Sequence, residues 1–136
     1  MQSNGENNLE AYSLAIAILL ILSVVLLSIL VPGGPIENRD FNHMKRSVFR
    51  SFNIFLVSLG LTTIITTWFA LKQDNWAYGL SFVLGLLYLG VYLLDLFAIF
   101  PKSPTKMSPK LASIEKINSV VAILLILLSG YVLIAL

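Results

Sequence analysis

Cysteine is missing altogether and charge is scarce: the 136 residues include 0 Cys, 9 Lys and Arg, 7 Asp and Glu, and a single His. Without thiols the chain has no disulfide, no thiolate nucleophile and no zinc-thiolate centre, which excludes the paired-cysteine chemistry of membrane thiol oxidoreductases. His43 has no second ligand at metal-binding spacing, so it reads as a solvated loop residue and no metal site is expected. No Asn-x-Ser/Thr acceptor occurs either. The 5 prolines are few, and all of them, Pro32, Pro35, Pro101, Pro104 and Pro109, fall between apolar runs or at their edges.

Long apolar runs are what the sequence does have. Hydrophobic residues make up 57% and charged residues 12%, with a mean hydropathy of +0.87, more apolar surface than one soluble core of this size can hide. A hydrocarbon layer of about 30 Å takes about 20 apolar residues per helical span. Residues 11–31, 51–71, 76–100 and 117–136 qualify, and Asp95 is the one charge within them. A barrel would show alternating segments of roughly 10 residues instead. Adding the flanking turns places four spans at about 11–31, 48–71, 76–100 and 112–136, joined by basic loops at 32–47 and 101–111. The fold expected is an all-α integral membrane protein: one domain over 1–136, a four-helix bundle of two antiparallel hairpins.

The breaks support this division. Pro32-Gly33-Gly34-Pro35 ends the first span, because proline cannot continue the hydrogen-bond ladder and glycine suits a helix C-terminus. Only Lys72-Gln73-Asp74-Asn75 separates spans two and three, which predicts a tight hairpin. Ser108-Pro109 reads as an N-cap followed by proline at the first helical position. The first run has an acidic start and 21 uncharged residues, so it reads as a retained helix and not as a cleaved signal.

Basic residues orient the bundle. Arg39, Lys45, Arg46, Arg50, Lys102, Lys106, Lys110 and Lys116 lie in or beside the first and third connections, and Lys72 alone lies in the second. The positive-inside rule puts the first and third connections in the cytoplasm and both termini outside. Tyr12, Trp68, Trp76, Tyr78 and Tyr131 then fall at the outer interface, where amphipathic rings are favoured. Arg39, Lys45, Arg46, Lys102, Lys106, Lys110 and Lys116 are expected to meet anionic lipid on the cytoplasmic side. No groove-reading context accompanies these cations, so no nucleic acid partner is expected. A bacterial inner membrane is the expected location.

Polar residues fall on stripes. Tyr78, Ser81, Gly85, Tyr88, Tyr92 and Asp95 recur at steps of three and four, as do Arg46, Arg50, Asn53, Val57, Gly60, Thr63 or Ile64, and Thr67. Folding the second and third spans about their short loop pairs positions whose numbers sum to about 148. Asn53 then comes level with Asp95, Gly60 makes room for Tyr88, and Gly85 and Ser81 sit on the packed face. Asp95, about 9 Å inside its helix at 1.5 Å per residue, would be neutralised by Arg50 and hydrogen-bonded by Asn53, with Tyr92 and Tyr88 above it. Glu115 and Asn118 add polar groups near this level, Glu115 pairing with a lysine at the headgroups.

Function is constrained more by what these residues cannot do. One acid at depth, with no histidine in any span, leaves a catalytic pair incomplete, so the chain does not read as an enzyme. No cofactor is expected. The sequence therefore reads as a structural, accessory or interaction subunit, within a homo-oligomer or a larger membrane complex. The alternative is a minimal oligomeric ion channel or proton-coupled small-solute transporter that uses Asp95, because an acid within a span is costly unless it has a role.

Overall fold

A computed structural model describes residues 4–30, 45–97, 99–100 and 107–135. These form four helices: α1 (Asn4–Leu30), α2 (Arg46–Leu71), α3 (Asn75–Leu96) and α4 (Pro109–Ala135). Each is long and apolar enough to cross a membrane. The Pro32-Gly33-Gly34-Pro35 turn, Arg39, His43, Pro101, Lys102, Pro104 and Lys106 lie outside the described residues.

Helix ends follow local chemistry. The Leu111 N–H donates to Ser108 Oγ at 3.1 Å, which makes Ser108 the N-cap of α4 with Pro109 at the first helical position, as the sequence predicts. At the end of α2 the Gln73 N–H donates to the Ala70 carbonyl and the Asp74 N–H to the Phe69 carbonyl, with Gln73 at φ 63°. That pair of bonds satisfies the last carbonyls of α2 and turns the chain into α3 within three residues. The third helix stops earlier than expected, at Leu96 and not near residue 100. Proline at 101 has no N–H to offer Phe97, its ring disfavours a helical carbonyl there, and it restricts the residue before it. Asp95 consequently lies in the last turn of α3, not six residues inside it.

The helices form a ring in which α1 packs on α2 and α4, and α3 packs on the same two. Between α1 and α3 there is slight contact across the diagonal, and the most extensive interface joins α3 to α4. Tyr12 at the start of α1 packs on Tyr131 near the end of α4, with ring centroids 5.2 Å apart. Phe69 packs on Trp76 at 4.8 Å, and Phe52 meets Phe100 edge-on at 5.0 Å. Each helix turns one seam inward at steps of three and four: Ser13, Ile16, Leu20, Ser23, Leu27 and Leu30 in α1, and Leu111, Glu115, Asn118, Ala122, Leu125, Ser129 and Val132 in α4.

Glycines reveal which neighbours meet. A Cβ at Gly85 would stand 2.7 Å from Ile126 Cγ1 and 3.3 Å from the Ala122 carbonyl oxygen and the Ile126 amide nitrogen, so Gly85 lets α3 approach the α4 backbone. A Cβ at Gly60 would meet Val24 and Leu27 side chains at 3.5 and 3.7 Å. Gly60 therefore faces α1, and the expected seat for Tyr88 at Gly60 is corrected: Thr63 receives Tyr88. Ser81 is buried and donates to the Ala77 carbonyl within α3. Tyr78, on the inward stripe of α3, is buried and hydrogen-bonded to Ser13. Trp68 and Trp76, near the same end of the bundle, are exposed, with the Lys72 ammonium 5.1 Å from the Trp68 ring.

Candidate functional site

The third helix carries the polar interior of the bundle. Tyr78, Ser81, Gly85, Tyr88, Tyr92 and Asp95 are all buried, as their spacing requires. Thr63 Oγ1 donates to the Leu59 carbonyl at 2.7 Å. Its single proton is thereby used, so at the 2.8 Å contact between Thr63 Oγ1 and Tyr88 Oη the tyrosine is the donor. The Tyr88 and Tyr92 rings stack with centroids 6.2 Å apart. These bonds satisfy tyrosine hydroxyls inside a packed core, which is what buried tyrosines need.

Tyr92 leads to the chemically richer part. Its hydroxyl accepts from Asn118 Nδ2, which also points at the Ser23 carbonyl from 3.4 Å, tying α1, α3 and α4 together through one amide. Asn118 is 0% exposed, and its Oδ1 has no hydrogen-bond partner among the described residues. One turn before it, Glu115 is 2% exposed, and across the interface Asp95 is 6% exposed. Both carboxylates lie within electrostatic reach of the Tyr92 hydroxyl. Glu115 thus belongs to the interior, where the sequence reading had it at the headgroups. Its signal was available: Leu111, Glu115, Asn118, Ala122, Leu125 and Ser129 repeat the three-and-four step of α3.

The structure divides the expected cluster in two. Asp95, Tyr92 and Tyr88 are together in the core, joined by Glu115, Asn118 and Thr63. Arg50 and Asn53 instead line a groove on the outer face of α2 with Arg46, Phe49, Ile54, Val57 and Ser58. Lys45, Arg46, Lys110 and Lys116 are exposed. Among the described residues no group of three or more His, Cys, Asp or Glu is placed to hold a metal ion.

No curated protein and no solved structure matches the chain. A family model described as a domain of unknown function matches residues 12–134, nearly the whole bundle including Tyr92, Asp95, Glu115 and Asn118. The chain belongs to that family, DUF8051.

Proposed function

We propose that this chain is a non-enzymatic structural or interaction subunit: two antiparallel hairpins with both termini outside, assembling with itself or with a larger membrane protein. A bacterial inner membrane is its proposed location. The observation that supports this best is the cross-helix bonding of the interior. Ser13 with Tyr78, Thr63 with Tyr88, and Asn118 with Tyr92 and Ser23 each tie polar groups of different helices together. Interhelical hydrogen bonds and small-residue contacts are what hold helices together in lipid. A core consumed by such bonds is suited to a rigid scaffold, whose outward apolar faces remain for lipid and partners. Light scattering of the purified protein in mild detergent tests it: a protein mass at least twice the 15.0 kDa of one chain is expected. A monomer that conducts protons in liposomes would overturn it.

A second reading, proton- or cation-coupled transport, is favoured by one observation. Glu115 shares the interior with Asp95, so the sequence argument from a single acid at depth loses its premise. Under this reading Asp95→Asn and Glu115→Gln would fold and assemble normally but abolish pH-driven flux into vesicles loaded with a proton-sensitive dye. Under the first reading there is no flux to lose, and the same variants change only stability.

A further inference from the structure

The groove on α2 offers a chemistry that the core does not. It has a volume of about 420 Å³ and runs along one face of the helix from Arg46 and Arg50 to Ile54 and Val57. Both arginines are exposed, one turn apart at the start of the span, and no described carboxylate lines the groove. Deeper along the same face Ile54 and Val57 are each 59% exposed. Val57 lies seven residues beyond Arg50, about 10 Å along the axis at 1.5 Å per residue. Between the cationic and the apolar parts sits the Asn53 amide, a neutral hydrogen-bonding group.

We infer that this groove binds an anionic glycerophospholipid of the leaflet facing the basic loops. The two guanidinium groups take the phosphodiester, because a planar fork of N–H donors matches two phosphate oxygens at once. Asn53 meets the glycerol ester region one turn deeper. Ile54 and Val57, deeper still, then carry the first part of an acyl chain. Free phosphate would use only the arginines, and a soluble acidic peptide would leave the apolar end unfilled, so the length of the groove selects a lipid. This assigns Arg50 and Asn53 a ligand outside the bundle, where the sequence alone pairs them with Asp95. The inference rests on the proposed reading of the chain as a membrane-embedded subunit.

Thermal unfolding of the full chain in uncharged detergent tests it, with phosphatidylglycerol, phosphatidylcholine and inorganic phosphate as the added probes. Phosphatidylglycerol should raise the melting temperature saturably, while the other two leave it unchanged. Each basic residue near an anionic lipid surface is worth about fivefold in affinity, so R46Q/R50Q should weaken the phosphatidylglycerol response by roughly 25-fold. The single variants R46Q and R50Q should each weaken it about fivefold. K72Q, which removes a cation at the opposite end of the bundle beside Trp68, should keep the full response. An equal response to phosphatidylcholine, an undiminished one in R46Q/R50Q, or a fivefold loss in K72Q would overturn the site. Resistance of the protein to alkaline carbonate extraction, measured on the same variants, reports separately on membrane insertion: a protein that is extracted fails the insertion the inference rests on, and one that resists but shows no lipid selectivity fails the groove alone.

Discussion

Gly60 and Gly85 occupy similar places on their stripes, yet their surroundings differ in kind. The closest neighbours of a Cβ at Gly85 include the Ala122 carbonyl oxygen and the Ile126 amide nitrogen, both backbone atoms. Those of a Cβ at Gly60 are side-chain methyls at ordinary contact distance. Gly85→Ala is therefore expected to lower the melting temperature in detergent, by a cost of about 1–3 kcal/mol typical of overpacking, and Gly60→Ala to leave it near that of the unmodified protein. Equal effects would mean that α3 and α4 do not meet at Gly85. The tyrosines separate in the same way. Tyr88→Phe leaves Thr63 still bonded to the Leu59 carbonyl, whereas Tyr92→Phe leaves Asn118 Nδ2 with only its 3.4 Å contact to the Ser23 carbonyl. An unsatisfied buried donor costs about 1–3 kcal/mol in water-soluble proteins, and polar couplings in membranes average about 0.6 kcal/mol. Tyr92→Phe should thus destabilise more than Tyr88→Phe, by a difference of about 0.6 kcal/mol, measurable by reversible unfolding in mixed detergent.

A Gln at φ 63° is the one strained feature of the turn between α2 and α3. A side chain in the left-handed region costs about 1–2 kcal/mol, which glycine avoids, while glycine gives back about 0.4–1 kcal/mol through the freedom of the unfolded chain. Gln73→Gly should therefore stabilise the hairpin by about 0.5–1 kcal/mol; a lower melting temperature would mean that the turn is held some other way. The existence of this turn, the N-cap at Ser108 and the inward stripe of α3 were all legible in the sequence, because each depends on residues close together in the chain. The stripe of α2 was legible only in its second half. Arg46 and Asn53 lie two and one heptads before Gly60, and an α-helix drifts by about 20° per heptad from a 3.5-residue repeat. That drift carries the first half of the stripe toward the outer face, and Arg46 and Arg50 are exposed there. The neighbour that each stripe meets was not legible. In a ring of four helices every seam faces the common axis, and periodicity does not say which flank touches which neighbour. For that reason Gly85 was expected on α2 and is found on α4.

The four described helices together are apolar outside and most polar along the bundle axis. Trp68, Ile54, Leu127 and Ile134 are among many large side chains left exposed, while Ser13, Thr63, Thr66, Ser81, Asn118, Glu115 and Ser129 are buried. A lipid solvent makes that arrangement favourable, because apolar side chains lose nothing by facing hydrocarbon and polar ones gain partners by facing each other. Orientation across the membrane comes from a different property, the distribution of cations, which packing does not encode. Eight basic residues flank the first and third connections and one, Lys72, stands at the second. Each cation resists transfer across the bilayer, so moving eight outward and one inward is the costlier topology. Because the sequence has 0 Cys, a single introduced cysteine reports on its own position without background. Cysteines replacing Asn42 and Thr105 should be shielded from an impermeant thiol reagent in intact cells, and one replacing Gln73 should react. Permeabilising the cells should expose the first two, which separates shielding by the membrane from burial in protein. Labelling at Asn42 in sealed cells, with none at Gln73, would invert the topology and turn the α2 groove toward the opposite leaflet.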